Sequence, residues 1–88
     1  AIQIAPQNPS ARKHLGDIFF KQNNFEEAKR QYKKVVQLHP EDAEALYNLG
    51  VVCYYKKDIK NAKQYFQMAV ELNPTYEKAR NALKQITR

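Results

Sequence analysis

The segment of residues 45–74 reads ALYNLGVVCYYKKDIKNAKQYFQMAVELNP, and its apolar positions decide the fold. Apolar side chains recur every three or four residues in two runs, which Lys57 and Asp58 separate. This spacing predicts two amphipathic helices joined by a tight turn. Asp58 is a good N-cap for the second helix, and Pro74 ends it because proline cannot continue a helix. The segment therefore predicts a helical hairpin.

The hairpin has a counterpart one repeat earlier in the chain. Pro6, Pro40 and Pro74 stand 34 residues apart (40 − 6 = 34; 74 − 40 = 34). Matching residues recur at the same offset: Leu15 and Leu49, Gly16 and Gly50, Ala28 and Ala62, Tyr32 and Phe66, Val36 and Val70, Leu38 and Leu72. A fixed period of roughly 20–50 residues is typical of repeat arrays. We therefore predict an all-α stack of hairpins.

The remaining segments divide the chain into four parts. Residues 1–8 align with the end of the second helix, so we expect the end of a truncated preceding repeat and a linker. Residues 9–42 form the first repeat, in which Pro9 suits a first helical position and Asn24 with Glu27 suits a capping box. Residues 43–76 form the second repeat, and residues 77–88 form a C-terminal capping helix that starts near Thr75. Since the sequence begins with alanine, we expect a piece of a longer array.

Two glycines at one register predict close helix contacts. Glycine inside a helix costs about 1 kcal/mol relative to alanine, so Gly16 and Gly50 need a packing reason. We expect each helix pair to approach closely there, against Ala28 and Ala62. Bulky side chains one turn away then fill the grooves between helices: Leu15, Phe19, Tyr32, Leu49 and Phe66.

Composition excludes several classes of function. The chain has 88 residues, 43% of them hydrophobic, with one cysteine and two histidines. Cys53 has no internal partner for a disulfide, and we expect a buried, inert thiol. No catalytic triad, metal-ligand set or apolar run of membrane-spanning length is present. We therefore expect no enzyme, no metal and no cofactor, and a reducing compartment such as the cytoplasm is favoured.

The repeated residues carry a resemblance to a known family. The run Leu46, Leu49, Gly50, Cys53, Ala62, Phe66 and Pro74 resembles the tetratricopeptide repeat, as does the run Arg12, Leu15, Gly16, Phe19, Ala28, Tyr32 and Pro40. Arg12 replaces a usual large apolar residue, Cys53 a usual aromatic one, and Lys84 a glycine. The resemblance implies a right-handed superhelix of antiparallel helix-turn-helix repeats. It also implies a non-catalytic module that binds a protein or peptide in a concave groove.

The first helix of each repeat would line that groove. Its predicted residues are Lys13, Asp17, Phe20, Tyr47, Asn48, Val51, Tyr54, Tyr55, Lys78 and Asn81, with Gln85 further along the last helix. Exposed tyrosines suit recognition because they combine apolar area with a polar tip. The alternative is that the tyrosines pack between neighbouring helices. We expect an extended or helical peptide ligand with apolar anchors and some acidic character.

The family resemblance also suggests a co-chaperone-like role. Some tetratricopeptide domains clamp the acidic C-terminal tail of heat-shock chaperones with two lysines, two asparagines and one arginine. Lys13, Asn48 and Lys78 match those positions. Asp17 stands where the first asparagine would be, and Ala82 stands where the arginine would be. A carboxylate repels an acidic ligand, and arginine makes the strongest carboxylate contact. The predicted clamp is therefore incomplete.

Two other hypotheses use the edges and the charge of the chain. An uncovered apolar edge at the first hairpin predicts self-assembly as a homo-oligomer, through Ala1, Ile2, Ile4, Leu15 and Ile18. The net charge of +6 and the run Lys29, Arg30, Lys33 and Lys34 suggest a surface for nucleic acid or another anion. An ordinary solvated helix face explains this run better, because Glu26 and Arg30 are spaced to pair along the helix.

Overall fold

The computed structural model describes residues 9–87, with side chains from Ser10 onward, and they fold into five helices. The helices are α1 (Pro9–Lys21), α2 (Phe25–Leu38), α3 (Ala43–Tyr55), α4 (Ile59–Leu72) and α5 (Glu77–Ile86). Each helix packs on the next one along the chain. The fold is therefore all-α, as predicted, and the predicted end of a preceding repeat in residues 1–8 lies outside the described residues. None of the described helices is long and apolar enough to cross a membrane.

Aspartates cap the starts of two helices. Asp58 accepts hydrogen bonds from the backbone N–H of Asn61 at 3.4 Å and from its side-chain Nδ2 at 2.7 Å. Asp42 accepts a bond from the backbone N–H of Ala45 at 3.1 Å, so α3 has the same kind of cap. The capping box predicted for α2 is wrong, because Asn24 occupies the N-cap position without a side-chain cap bond.

The turn inside each hairpin repeats with the same geometry. Asn23 and Lys57 stand 34 residues apart (57 − 23 = 34) and have φ angles of 63° and 67°. After α3, the N–H of Lys57 bonds to the carbonyl of Tyr54, and the N–H of Asp58 bonds to that of Cys53. Asn23 and Asn24 make the equivalent bonds after α1. Both turns are Schellman motifs, which close a helix through a left-handed residue.

The glycine contacts are as close as the sequence predicts. A Cβ on Gly16 would lie 2.6 Å from Cε1 of Tyr32, and one on Gly50 would lie 2.6 Å from Cε1 of Phe66. Real Cβ atoms do not approach other atoms so closely. An aromatic ring of the second helix therefore rests directly on the glycine backbone of the first helix in both repeats.

The core runs along the stack as a series of small clusters. The fully buried large side chains are Leu46, Leu49, Val35, Val52 and Cys53. The half-buried ring of Tyr65 packs against all three clusters of buried residues. The expected filling role of Leu15 is wrong, because this residue is 40% exposed and belongs to none of the three clusters in the described part of the chain. Leu38 and Leu72, the last apolar residues of their helices, are also exposed.

The fifth helix is shorter than expected and begins at Glu77 rather than near Thr75. Tyr76 precedes it as the N-cap. Thr75 instead belongs to the turn, where its backbone N–H and its hydroxyl both donate to Oδ1 of Asn73. Only Ala79 of α5 is fully buried, so this helix is held chiefly by half-buried side chains on one face: Ala82, Leu83 and Ile86.

Candidate functional site

A small aromatic cavity lies between α3 and α5. Its volume is about 230 Å³. The side chains of its wall are Tyr47, Val51, Tyr54, Tyr55, Phe66, Ala82, Gln85 and Ile86. None of these eight side chains carries a charge, and α3 supplies half of them. The cavity therefore offers a mixed surface of aromatic and aliphatic carbon, with phenol hydroxyls and one amide among its polar groups.

The three tyrosines of the cavity differ in their surroundings. Tyr47 is half-buried, and its ring centroid lies 5.7 Å from that of Phe66 and 5.6 Å from that of Tyr76. It is a wall of the cavity and packs among α3, α4 and the residue that caps α5. Tyr54 and Tyr55 are 52% and 56% exposed, so their rings remain largely open to solvent.

Aromatic residues of the first hairpin continue this surface. The ring centroid of Phe20 lies 5.1 Å from that of Tyr55, in an edge-to-face arrangement. Phe25 lies 5.7 Å from Tyr55 and 5.4 Å from Phe20. Edge-to-face and tilted pairs of this kind are favourable and orient the rings. Phe20, which the sequence assigns to the groove, therefore supports Tyr55 from the neighbouring repeat.

Lys13 joins the two repeats through an ion pair with two carboxylates. Its Nζ lies 3.0 Å from Oδ2 of Asp42 and 2.9 Å from Oε1 of Glu44. Burial lowers the pKa of Lys13, but hydrogen bonds to Glu44 and Asp42 outweigh this effect and raise the pKa above its ordinary value. The lysine is therefore a cation bound by its own chain.

Asp17 lies one helical turn further along α1 and is also engaged. The hydroxyl of Tyr32 donates a hydrogen bond to its Oδ1. Burial and this bond to the carboxylate raise the pKa of Tyr32 well above its usual range, because both disfavour the phenolate. Asp17 thus accepts a hydrogen bond from a buried phenol and orients that ring on Gly16.

The structure brings only part of the predicted groove together. Tyr47, Val51, Tyr54 and Tyr55 line one cavity. Asn48 is half-buried, and Lys78 and Asn81 are exposed, but none of these three lines the cavity. On α5 the lining residues are Ala82, Gln85 and Ile86. The sequence interpretation named Gln85 and placed Ala82 at the clamp position of the arginine, but it missed Ile86, although the 34-residue offset relates Ile86 to Val52 beside the predicted groove residue Val51.

The outer surface of α2 mixes charges of both signs. Arg30 pairs with Glu27 at 3.1 Å, whereas Glu26 pairs with Lys56 at the end of α3. The predicted pair of Glu26 with Arg30 is therefore wrong, because a lysine of the next repeat reaches Glu26 instead. The pair of Arg30 with Glu27 explains part of the basic run as a solvated, salt-bridged face.

The described residues contain no cluster of side chains that could hold a metal ion. Cys53 is fully buried, as the sequence predicts, and burial raises the pKa of its thiol. A thiol with a raised pKa is a poor nucleophile because little thiolate is present. His39 is half-buried in the turn after α2, with Nδ1 3.7 Å from Oε1 of Glu41.

Two family models match overlapping parts of the chain. A TPR repeat model matches residues 16–57, and a tetratricopeptide repeat model matches residues 43–76. Together they span residues 16–76, well over half of the chain. The chain belongs to the tetratricopeptide repeat family. No curated protein sequence is significantly similar to this tetratricopeptide repeat chain.

Solved structures of tetratricopeptide repeat proteins share the fold. The first TPR of Spaghetti (RPAP3), bound to the HSP90 peptide SRMEEVD, superposes with a TM-score of 0.89 at 23% identity, over 94% of this chain and 66% of that one. YrrB, a TPR protein with an unusual peptide-binding site, gives 0.87 at 28% identity, over 91% and 41%. MamA gives 0.86 at 28% identity, over 93% and 48%. The chain thus spans less than two thirds of each of these solved chains.

Proposed function

We propose that this tetratricopeptide repeat segment is a non-catalytic module that binds a peptide or partner segment in the groove between α3 and α5. The aromatic cavity carries this proposal, since its side chains are uncharged, five of the eight residues of its wall are aromatic or branched aliphatic on α3 and α4, and two exposed tyrosines border it. Its volume of about 230 Å³ is below the ~300–1,000 Å³ of small-molecule pockets. It therefore suits a single apolar side chain of a peptide better than a cofactor.

Similar proteins support a peptide as the ligand. YrrB is described as having a peptide-binding site, and it shares 28% of its residues with this chain in the matched region. Tyrosine is also enriched among residues that dominate binding energy, because its ring buries a large area at a small entropic cost. We therefore assign Tyr54 and Tyr55 as the main contacts and Tyr47 as the wall behind them.

Selection of peptides from a displayed random library tests this proposal. We expect the intact chain to enrich peptides with a shared apolar residue, and Tyr54→Ala to weaken their binding about tenfold or more, as loss of a buried interface anchor does. Tyr54 suits the test because it is half exposed and outside the buried core. Tyr47→Ala is unsuitable, because it would also remove the contacts with Phe66 and Tyr76.

Met68→Ala is the matched control. Met68 is 43% exposed on α4, outside the cavity wall, so its loss removes similar apolar area from a different surface. We expect its binding to equal that of the unchanged chain. Equal binding by the Tyr54 variant would contradict the groove assignment, provided that both variants keep the same helical circular dichroism.

Self-association is a second candidate function, which one observation favours. Leu15 and Ile18 are 40% and 39% exposed on neighbouring turns of α1, so they form an open apolar edge. Repeat arrays stack through edges of this kind. Light scattering over a wide concentration range tests the idea with Leu15→Lys as the comparison. A mass that stays monomeric at the highest concentration would rule out this candidate.

A further inference from the structure

The groove has a charged rim at the start of α3. This rim is negative, whereas the predicted clamp residue Lys13 suggests a positive one. Glu44, Tyr47 and Val51 follow at intervals of three and four residues, so they lie on one face of α3. Glu44 therefore stands one turn before the wall of the cavity, about 5 Å along the helix axis from Tyr47. A ligand with a side chain in the cavity would pass close to it.

Exposure decides which charge such a ligand meets. The side chain of Glu44 is 61% exposed, whereas those of Lys13 and Asp42 are 19% and 18% exposed. Lys13 already donates to Glu44 and is paired with Asp42, so its ammonium is both covered and neutralised. Glu44 keeps free lone pairs toward solvent, because a carboxylate can accept several hydrogen bonds.

The other charges near this rim do not restore a positive site. Asp17 adds a second exposed carboxylate one turn from Lys13 on α1. The helix dipole gives the start of α3 a partial positive charge of roughly half a unit. The capping carboxylate of Asp42 already compensates this charge. Lys78 is exposed on α5, outside the cavity wall.

We propose that Glu44 sets the ligand selectivity of the groove, so that it prefers peptides with an apolar anchor and a nearby lysine or arginine over peptides with acidic flanks. This inference rests on the proposed function. A cation two or three residues from the anchor reaches the rim, since an extended chain advances about 3.3 Å per residue. The ligand class is thus opposite in charge to the acidic tails that the family resemblance suggests.

Three pools of short synthetic peptides test the selectivity. All pools carry a central leucine, and the positions two and three residues to either side are lysine in one pool, serine in the second and glutamate in the third. We expect the intact chain to bind the lysine pool most tightly and the glutamate pool least. Each step should be roughly two- to fivefold in affinity, the range of one exposed ion pair, and should shrink at high salt.

Variants of Glu44 separate the inference from a general charge effect. Glu44→Gln should remove most of the preference for lysine, and Glu44→Lys should reverse it in favour of the glutamate pool. Glu41→Gln and Lys78→Gln should leave the order of the pools unchanged, since Glu41 lies in the turn before α3 and Lys78 lies off the cavity wall. Circular dichroism checks that all four variants keep their helices.

The outcomes distinguish the two proposals. Tightest binding of the glutamate pool by the intact chain, or an unchanged order in Glu44→Lys, would overturn the selectivity. If Tyr54→Ala still weakened every pool in that case, the groove itself would stand. Binding of no pool, or binding that is insensitive to Tyr54→Ala, would overturn the groove and the selectivity together.

Discussion

At the level of single residues, two glycines allow an aromatic ring to lie directly against a helix backbone. The rings of Tyr32 and Phe66 occupy the space where a Cβ on Gly16 or Gly50 would lie. Around Gly50 the backbone carbonyl of Ala62 would also be only 3.2 Å from such an atom. Since a backbone cannot rotate away as a ring can, α3 and α4 must separate to admit any larger side chain.

Gly50→Leu should therefore lower the melting temperature by about 10 °C or more. Overpacking of a well-filled core costs about 1–3 kcal/mol, and 1 kcal/mol corresponds to about 4–8 °C in a domain of this size. Thermal unfolding followed by circular dichroism measures the change. Gly50→Ala should lose less stability when Phe66→Leu shortens the opposing side chain, and equal losses in both backgrounds would contradict the contact.

Lys57 is a second residue whose backbone limits the choice of side chain. Its φ of 67° lies in the left-handed region, where a non-glycine residue costs about 1–2 kcal/mol. Glycine adopts this φ without strain, but it also loses more chain entropy on folding, which offsets part of the gain. Lys57→Gly should therefore raise the free energy of unfolding by up to about 1 kcal/mol. Chemical denaturation provides the measurement, and the exposed Lys63 in the middle of α4 provides the control. Lys63→Gly should destabilise the protein by about 1 kcal/mol, and a stabilising effect there would undermine the argument.

At the level of elements, helix caps make stability depend on pH. The hydrogen bond that Asp58 accepts from the Asn61 side chain, with the backbone bond from Asn61, lowers the pKa of this carboxyl below its ordinary value. A lowered pKa in the folded state means that the carboxylate stabilises α4 above the pKa of the unfolded chain. That contribution disappears as the pH falls through the folded pKa.

Asp58→Ala should therefore lower the melting temperature most at neutral pH. The difference from the unchanged chain should shrink as the pH falls below about 4, where the unfolded chain begins to bind the proton that the cap excludes. Melting curves over a series of acid buffers follow this difference. Asn24→Ala is the informative comparison, since Asn24 makes no side-chain cap bond and should cost less at every pH. A pH-independent loss in Asp58→Ala would mean that the carboxylate charge has no role in the cap.

The elements show what the sequence could predict and why the rest escaped it. Five helices and the glycine contacts follow from spacing within about four residues and from the 34-residue offset, both of which are visible in the printed chain. The pairs of Lys13 with Glu44 and of Glu26 with Lys56 join residues 31 and 30 positions apart (44 − 13 = 31; 56 − 26 = 30). Such pairs depend on how long side chains extend across neighbouring helices, which the local pattern does not determine.

The candidate site shows the same difference between what local spacing predicts and what packing across helices decides. Tyr47, Val51, Tyr54 and Tyr55 lie on one face of a single helix, so periodicity brought them together correctly. The opposite wall belongs to α5. The 34-residue offset predicted that this helix faces the groove, but it did not predict which of its side chains line the cavity. Asn81 was expected in the groove, whereas Ala82 and Ile86 line the cavity. Asn81 and Ala82 point about 100° apart around the helix, and α5 packs on the cluster around Phe66 through the face that carries Ala82 and Ile86.

At the level of the whole molecule, stability varies along the stack. The described residues extend over 49 × 26 × 18 Å, and each helix packs mainly on its neighbours in the chain. Helix α3 has six buried residues, whereas α5 has one, Ala79. In a stack of this kind the ends open more readily than the centre, since they have neighbours on one side.

Amide hydrogen exchange should therefore be slowest in α3 and faster in α1 and α5. We expect protection in the Leu49–Cys53 turn to approach that of global unfolding, because those amides exchange only when the stack opens. Exchange followed by mass spectrometry resolves the helices separately. Uniform protection across all five helices would indicate one cooperative unit instead of a graded stack, and it would contradict this expectation.

The outer face of α5 has a consequence for engineering the length of the array. The residues that correspond to Leu46, Gly50 and Cys53 one repeat later are Arg80, Lys84 and Thr87, and all three are exposed. A hairpin that packs onto this face would bury two cations and leave no room for an aromatic ring at the glycine position. Exchanging these three side chains for leucine, glycine and cysteine would give α5 the packing surface of α3, and a second helix copied from residues 55–76 could then be fused after it in register.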